Sequence, residues 1–196
     1  MELLQAINER RSVREYTGEA VSDETLRDLI GAAIQAPSAI NQQPWCFVVV
    51  RDRPLLTHIS GQAKNYLLRS SLGAPANSVR DMLTDPKFDI FYCAPALIVI
   101  AAAEPSDWAV EDCALAAENL MLAAHSAGLG TCWIGFAQHW LATAEGKTAL
   151  GLPKSHSPVA PIIVGHPRRK PAPVPRKIPN IRWLNSGERG ATSARP

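Results

Sequence analysis

Residues 107–127 are dominated by alanine and other apolar side chains, and Gly128 follows them directly. The run is too long for an ordinary strand and reads as one long helix. Apolar side chains occupy most of its faces, so most of those faces must be packed. It does not read as a membrane span, because Glu111, Asp112, Glu118, Asn119 and His125 interrupt it and such groups are costly in hydrocarbon. The expectation is a central helix, part of whose cover comes from a second subunit. Gly128 is placed to close it, since glycine takes the left-handed conformation that ends a helix.

A helix of this kind needs other layers to pack on. Trp45-Cys46-Phe47-Val48-Val49-Val50 and Ala96-Leu97-Ile98-Val99-Ile100-Ala101 are continuous apolar runs. Each reads as a strand buried on both faces. Residues 131–134 form a short strand. Residues 159–164 form another, which Pro161 assigns to a sheet edge because proline donates no ladder hydrogen bond. Residues 2–9 predict a first helix with Leu3, Leu4 and Ile7 on one face. Ser22 caps a second, in which Leu26, Leu29, Ile30, Ala33 and Ile34 share a face; Pro37 ends it. A third helix follows Pro54. Residues 70–89 have weak periodicity and read as partly helical, a candidate mobile lid.

The order helix, helix, strand, helix, strand, helix, strand, helix, strand predicts an α+β fold, a mixed central sheet flanked by helices. Residues 1–184 make one domain. Within it, residues 165–184 carry Pro167, Pro171, Pro173, Pro175 and Pro179 and predict an extended arm. At about 3.1 Å per residue, that arm could cross onto another subunit. Residues 185–196 are read as a frayed polar tail.

The chain of 196 residues is 46% hydrophobic and 19% charged, as in ordinary soluble domains. Its net charge of +2 is too small to imply nucleic acid or a membrane surface as partner. Cys46, Cys93, Cys113 and Cys132 form no C-x-x-C pair, and no basic stretch followed by an apolar run opens the chain. They read as reduced thiols of a cytoplasmic protein. The five histidines lack ligand spacing, so no metal is expected. Gly128-Leu129-Gly130 lacks the third glycine of a dinucleotide fingerprint and precedes a strand. The chain has no phosphate-binding P-loop and no G-x-S-x-G elbow. Nothing points to a hydrolase or a kinase.

Two segments carry chemistry instead. Arg10-Arg11-Ser12-Val13-Arg14 places three guanidinium groups and a hydroxyl at a helix end. Planar charged donors of this kind match phosphate oxygens, although a solvated basic turn has the same composition. Pro37-Ser38-Ala39-Ile40-Asn41-Gln42-Gln43-Pro44-Trp45 packs amide and hydroxyl groups between two prolines. It suits a ring bearing several carbonyls and nitrogens, and equally a polar loop with Trp45 in the core.

Taken in order, these segments resemble the nitroreductase family. Further pieces agree: Cys93-Ala94-Pro95-Ala96 entering a strand, Glu118-Asn119-Leu120-Met121-Leu122-Ala123-Ala124 in the central helix, Gly128-Leu129-Gly130-Thr131-Cys132-Trp133-Ile134-Gly135 after it, and Val164-Gly165-His166-Pro167 opening a proline-rich basic tail. The resemblance covers roughly residues 2–184. It implies an intertwined homodimer binding FMN at two interface sites. Arg10, Arg11, Ser12 and Arg14 would hold the phosphate and ribityl chain. Pro37, Ser38, Ala39, Asn41 and Gln43 would approach from the partner chain. Asn65 would touch the pyrimidine edge, and Ile134 and Gly135 would lie close to the ring. Arg176, with Lys177, would return to the phosphate, in competition with Arg168 and Arg169.

The activity implied is transfer of electrons from NADH or NADPH to a small electron-poor acceptor, such as a nitroaromatic or quinone, by a ping-pong mechanism. The flavin would carry the chemistry, so no protein acid or nucleophile is required. The alternatives are a flavin-binding protein without turnover, a family member with a specialised flavin reaction, and an interaction module using its proline-rich tail.

Overall fold

The computed structural model describes residues 1–70, 77–104 and 106–184. Seven helices and four strands are described: α1 Leu3–Glu9, α2 Asp23–Ala33, β1 Trp45–Val50, α3 Arg53–Arg69, α4 Asn77–Thr84, β2 Ala96–Ala102, α5 Ala109–Ser126, β3 Gly130–Trp133, α6 Gly135–Leu141, α7 Ala144–Ala149 and β4 Ser157–Gly165. The strands form one sheet in the order β1-β2-β4-β3. The expected α+β class holds.

β2 is buried along its whole length, and its side chains divide between two cores by the two-residue period of a strand. Ala96, Ile98, Ile100 and Ala102 pack on one face with residues of α2 and α5. Leu97 and Val99 pack on the other with residues of α3 and α6. The sheet is therefore sandwiched between two helical layers. Alanine and cysteine on α5 (Cys113, Ala116, Ala117 and Ala124) are fully buried and let the helix lie close to the strands.

The helix ends follow their sequence signals. Ser22 Oγ accepts from Thr25 N–H at the start of α2, and Asp52 caps α3 by accepting from Leu55 N–H. Past α5, Gly128 has φ +77°. Its N–H donates to His125 O at 3.0 Å, and that of Leu129 to Ala124 O at 2.8 Å, the paired bonds of a Schellman cap.

Four expectations need correction. The sheet is antiparallel in all three strand pairings rather than mixed; the parallel element is the isolated bridge Ser12↔Thr131. β1 is only half-buried, because it is an edge strand. β4 is internal despite Pro161. The Pro161 carbonyl accepts from Ile134 N–H at 2.8 Å, and the return bond that proline cannot donate falls where β3 has ended and α6 begins. The single helix expected between β3 and β4 is two short ones, α6 and α7. Leu3, Leu4 and Ile7 are exposed, as are Val110 and Leu115 of α5, so a single chain leaves apolar helix faces open. Of the expected partly helical stretch, α4 is described and residues 71–76 lie outside the described residues. So does the tail at 185–196.

Candidate functional site

The segment after α1 runs beside the free edge of β3. Val13 N–H donates to Thr131 O at 2.9 Å. The start of the proline-rich arm runs beside it in turn: Thr17 N–H donates to His166 O at 3.0 Å, and Arg168 N–H to Glu15 O at 2.9 Å. Tyr16 is buried between them, and its hydroxyl donates to Val13 O at 2.9 Å. Two basic segments from opposite ends of the chain are thus held side by side.

Between them lies a cavity of about 430 Å³ lined by Ser12, Arg14, Glu15, Arg169 and Lys170. The Arg14 guanidinium sits 5.9 Å from the centre of the Tyr92 ring, within range of a cation–π attraction. Arg169 pairs with Glu15 at 2.6 Å and Lys170 with Glu9 at 2.8 Å. The hydrogen bond from Lys170, helped by one from Gln5, holds the Glu9 carboxyl below its usual range. Behind Ser12 lies the Cys132 thiol. Burial pushes its pKa up while Arg14 opposes the shift, and the same balance of burial against Arg14 raises that of Tyr92. Three cations, Arg14, Arg169 and Lys170, line the cavity against one carboxylate, Glu15, an excess of positive charge that suits a small anion.

The candidate residues divide. Ser12 and Arg14 line this cavity. Arg10 turns toward α5, with Nε 3.6 Å from Glu118 Oε1. Arg11 folds back on the end of α1, donating from Nη1 to Asn8 O at 2.7 Å and Arg10 O at 2.6 Å. It satisfies carbonyls that a helix end leaves open, while its Nε is buried without a partner.

Asn65 lines a separate cavity of about 340 Å³ with Tyr66, Arg69 and Trp140. Ile134 is buried at the turn from β3 into α6, and Gly135 is exposed there. Arg176 lies on the exposed arm and lines neither cavity.

The loop holding Pro37, Ser38, Ala39, Asn41 and Gln43 lines neither cavity either. It contains a 3-10 turn, Ala39–Asn41. Ile40, Asn41 and Gln43 all have positive φ, a region that costs a non-glycine residue about 1–3 kcal/mol. Gln43 N–H donates to Ser38 Oγ at 2.9 Å, and Gln43 Nε2 to Asn41 Oδ1 at 3.0 Å. Ala39 N–H donates to Asp112 Oδ1 on α5 at 3.0 Å.

Sequence reasoning did not single out Lys170, Tyr92 or Asp112 for the site. Lys170 adjoins Arg169, so that signal was present. Tyr92 reaches Arg14 only through the tertiary fold.

The Nitroreductase family model matches residues 7–166. The chain belongs to the nitroreductase family. An Archaeoglobus fulgidus protein with the provisional name NADH dehydrogenase/NAD(P)H nitroreductase is 33% identical over 167 residues, covering 85% of this chain and 86% of that protein. The Bacillus subtilis FMN reductase [NAD(P)H] is 30% identical over 184 residues, 89% of this chain and 70% of its own. Among solved structures, a nitroreductase with bound FMN from Bacteroides fragilis superposes with a TM-score of 0.79 at 28% identity, covering 94% of this chain and 100% of that one. The family match takes in the arginine segment, the amide-rich loop, the central helix and the sheet.

Proposed function

We propose that this nitroreductase-family chain is an FMN-dependent NAD(P)H oxidoreductase, working as a homodimer on small electron-poor acceptors such as nitroaromatics and quinones. The observation that carries this reading is the cavity where Ser12 and Arg14 meet Arg169 and Lys170 from the far end of the chain. The residues fit the cofactor's anionic end. A phosphomonoester carries about two negative charges at neutral pH, and a cationic rim with a hydroxyl supplies charge-assisted donors to it. The relatives' names agree, since they include an FMN reductase and a nitroreductase with bound FMN.

In this reading Ser12 and Arg14 hold the phosphate and ribityl chain directly. Arg10 and Arg11 add positive potential from behind. Arg169, which lines the cavity, takes the role that the resemblance gives to Arg176, unless the arm of a second copy brings Arg176 and Lys177 in. Asn65 reaches the pyrimidine edge. Ile134 and Gly135 offer backbone groups beside the ring. Pro37, Ser38, Ala39, Asn41 and Gln43 belong to a second copy's contribution, which accords with their loop lying outside the cavity within one chain. FMN held there would supply the redox chemistry, hydride uptake from NADH or NADPH and electron delivery to the acceptor in separate half-reactions. The chain's own residues bind and orient; none is asked for a proton.

The homodimer reading draws on exposed apolar surface. Leu3, Leu4 and Leu115 lie open on the helices, and Ile178, Ile181, Trp183 and Leu184 lie open on the arm. So many large apolar side chains left open in one chain accord with cover by a second copy. No helix among the described residues is long and apolar enough to cross a membrane.

The test is direct. The purified protein carries or takes up FMN, seen as the yellow absorbance of oxidised flavin, and anaerobic NADH or NADPH bleaches it. Flavin that stays oxidised with both donors refutes the oxidoreductase reading and leaves a flavin-binding protein without turnover. A colourless protein that takes up no FMN refutes both.

A further inference from the structure

Asp112 is buried, with 3% of its surface exposed. Its Oδ1 accepts from Ala39 N–H at 3.0 Å, while its Oδ2 is buried with no hydrogen-bond partner. A carboxyl group in that position works against the fold. It is withdrawn from water, one oxygen is unsatisfied, and a well-packed apolar side chain of similar volume would avoid both penalties. Favourable interaction with the N-terminus of α5 does not require it, because exposed Glu111 already supplies an acidic group to that turn. What Asp112 does is hold a strained loop. The three residues with positive φ, Ile40, Asn41 and Gln43, follow immediately on the Ala39 amide that it fixes. Two turns further along α5, Asn119 Nδ2 lies 3.4 Å from Ala32 O on α2. The helix thus touches the chain at the end of α2 and again just before the strained turn.

We infer that Asp112 is a positioning residue for flavin binding, whose carboxyl, kept at the expense of fold stability, holds the loop so that Ser38, Asn41 and Gln43 are presented to the cofactor. This rests on the FMN reading given above. A group placed for function in this way should move binding and stability in opposite directions when replaced. Asp112→Leu fills the same space without an acceptor, and Asp112→Asn keeps an acceptor oxygen for Ala39 N–H.

Three quantities are measured on the full chain and both variants: FMN dissociation constant by flavin fluorescence, thermal midpoint, and amide hydrogen exchange of residues 36–44 in the flavin-free protein. Asp112→Leu is expected to weaken FMN about tenfold or more, with a midpoint unchanged or raised. Exchange over residues 36–44 speeds up by about tenfold, while exchange over β2 is unaltered. Asp112→Asn stays within about threefold of the parent in affinity. The proposal is overturned if Asp112→Leu binds FMN as the parent does. It is also overturned if affinity and midpoint fall together in both variants, as for a residue that only maintains packing. Should the leucine variant not accumulate as folded protein, Asp112→Ala gives the affinity and exchange readings, its midpoint being lowered in any case by the cavity it leaves. If the parent itself takes up no FMN, the FMN reading fails, and the exchange measurement still decides whether Asp112 holds the loop.

Discussion

Val13 and Gly130 are in such close contact that a β-carbon added at Gly130 would stand 2.7 Å from a Val13 methyl. The next residue, Thr131, accepts the Val13 N–H at 2.9 Å. The second glycine of Gly128-Leu129-Gly130 is therefore a packing surface for the arginine segment, and has no phosphate of a dinucleotide to approach. Gly130→Ala should push Val13 outward, and Ser12 and Arg14 with it. Overpacking of this type costs about 1–3 kcal/mol, and a chain of this size loses about 2–4 °C of midpoint per kcal/mol. Calorimetry should show that drop, and FMN retention should fall with it. An unchanged midpoint and affinity would mean that the segment is not fixed to β3.

Arg14 is the cavity cation without a carboxylate partner among the ion pairs described, whereas Arg169 is paired with Glu15. Arg14→Ala should therefore cost more in FMN binding than Arg169→Ala, because Arg169 must also give up an existing partner to reach a ligand. A charge-assisted hydrogen bond is worth about 1.5–3 kcal/mol, so Arg14→Ala should weaken FMN by about 10- to 100-fold. Neither change should move the thermal midpoint appreciably, since exposed ion pairs contribute little. Fluorescence titration at two salt concentrations checks the assignment, because the parent's affinity should fall with ionic strength and that of Arg14→Ala should fall less. Equal affinities for Arg14→Ala and the parent would remove Arg14 from the phosphate site.

Those two residues also show how far the sequence can be read. Arg14 is conspicuous as one of three arginines in five positions. Its convergence with Arg169 depends on the pairing of Tyr16 with Pro167, a contact between distant segments that no local pattern records. The same contrast runs through the fold. β2 and α5 are legible because burial on two faces and a long apolar run leave strong local signals. β1 has an equally apolar sequence yet lies at an edge, and β4 contains a proline yet lies inside. Edge position depends on which strands pair, and the composition of one strand does not set that. Asp112 reads in sequence as one of several charges that keep α5 out of a membrane. Its spacing of seven from Asn119, two helical turns, was the available sign that both share a buried face.

Burial of thiols and a phenol gives the fold a definite response to alkali. Cys113 is pushed from its ordinary 9.0 to about 12, by burial first and by the neighbouring Asp112 second. Burial raises Cys132 as well, and Tyr16 beyond its ordinary 10.0. From about pH 9 the unfolded chain releases thiol protons that the folded chain retains. The folded state then binds more protons, and stability falls as pH rises. Each such group contributes a slope of up to about 1.4 kcal/mol per pH unit. The thermal midpoint should be level with respect to these groups below pH 8 and should drop steadily above pH 9. Cys113→Ala should flatten that drop by one group's share, whatever its effect on the midpoint at neutral pH. A midpoint that does not fall between pH 9 and 11 would contradict the buried, neutral state of these side chains.

Asp89 offers a test of how the ring beneath Arg14 is held. Its Oδ1 accepts from Phe91 N–H and its Oδ2 from Cys93 N–H, both at 3.0 Å. Between those two bonds stands Tyr92, and both Tyr92 and Cys93 have positive φ. Left-handed backbone at two consecutive non-glycine residues persists only where the surroundings hold it, and Asp89 supplies two of the bonds that do so. Asp89→Ala should free the turn, at about 1–3 kcal/mol for the lost partners, and chemical denaturation should register the loss. It should also release Tyr92 from beneath the Arg14 guanidinium, so FMN binding should weaken even though Asp89 does not line the cavity. Asp89→Asn keeps one acceptor and should fall between parent and alanine variant in both measurements. If Asp89→Ala lowers stability while FMN affinity stays at the parent value, the Tyr92 ring has no part in setting Arg14, and the cavity's geometry is fixed by the β3 contacts alone.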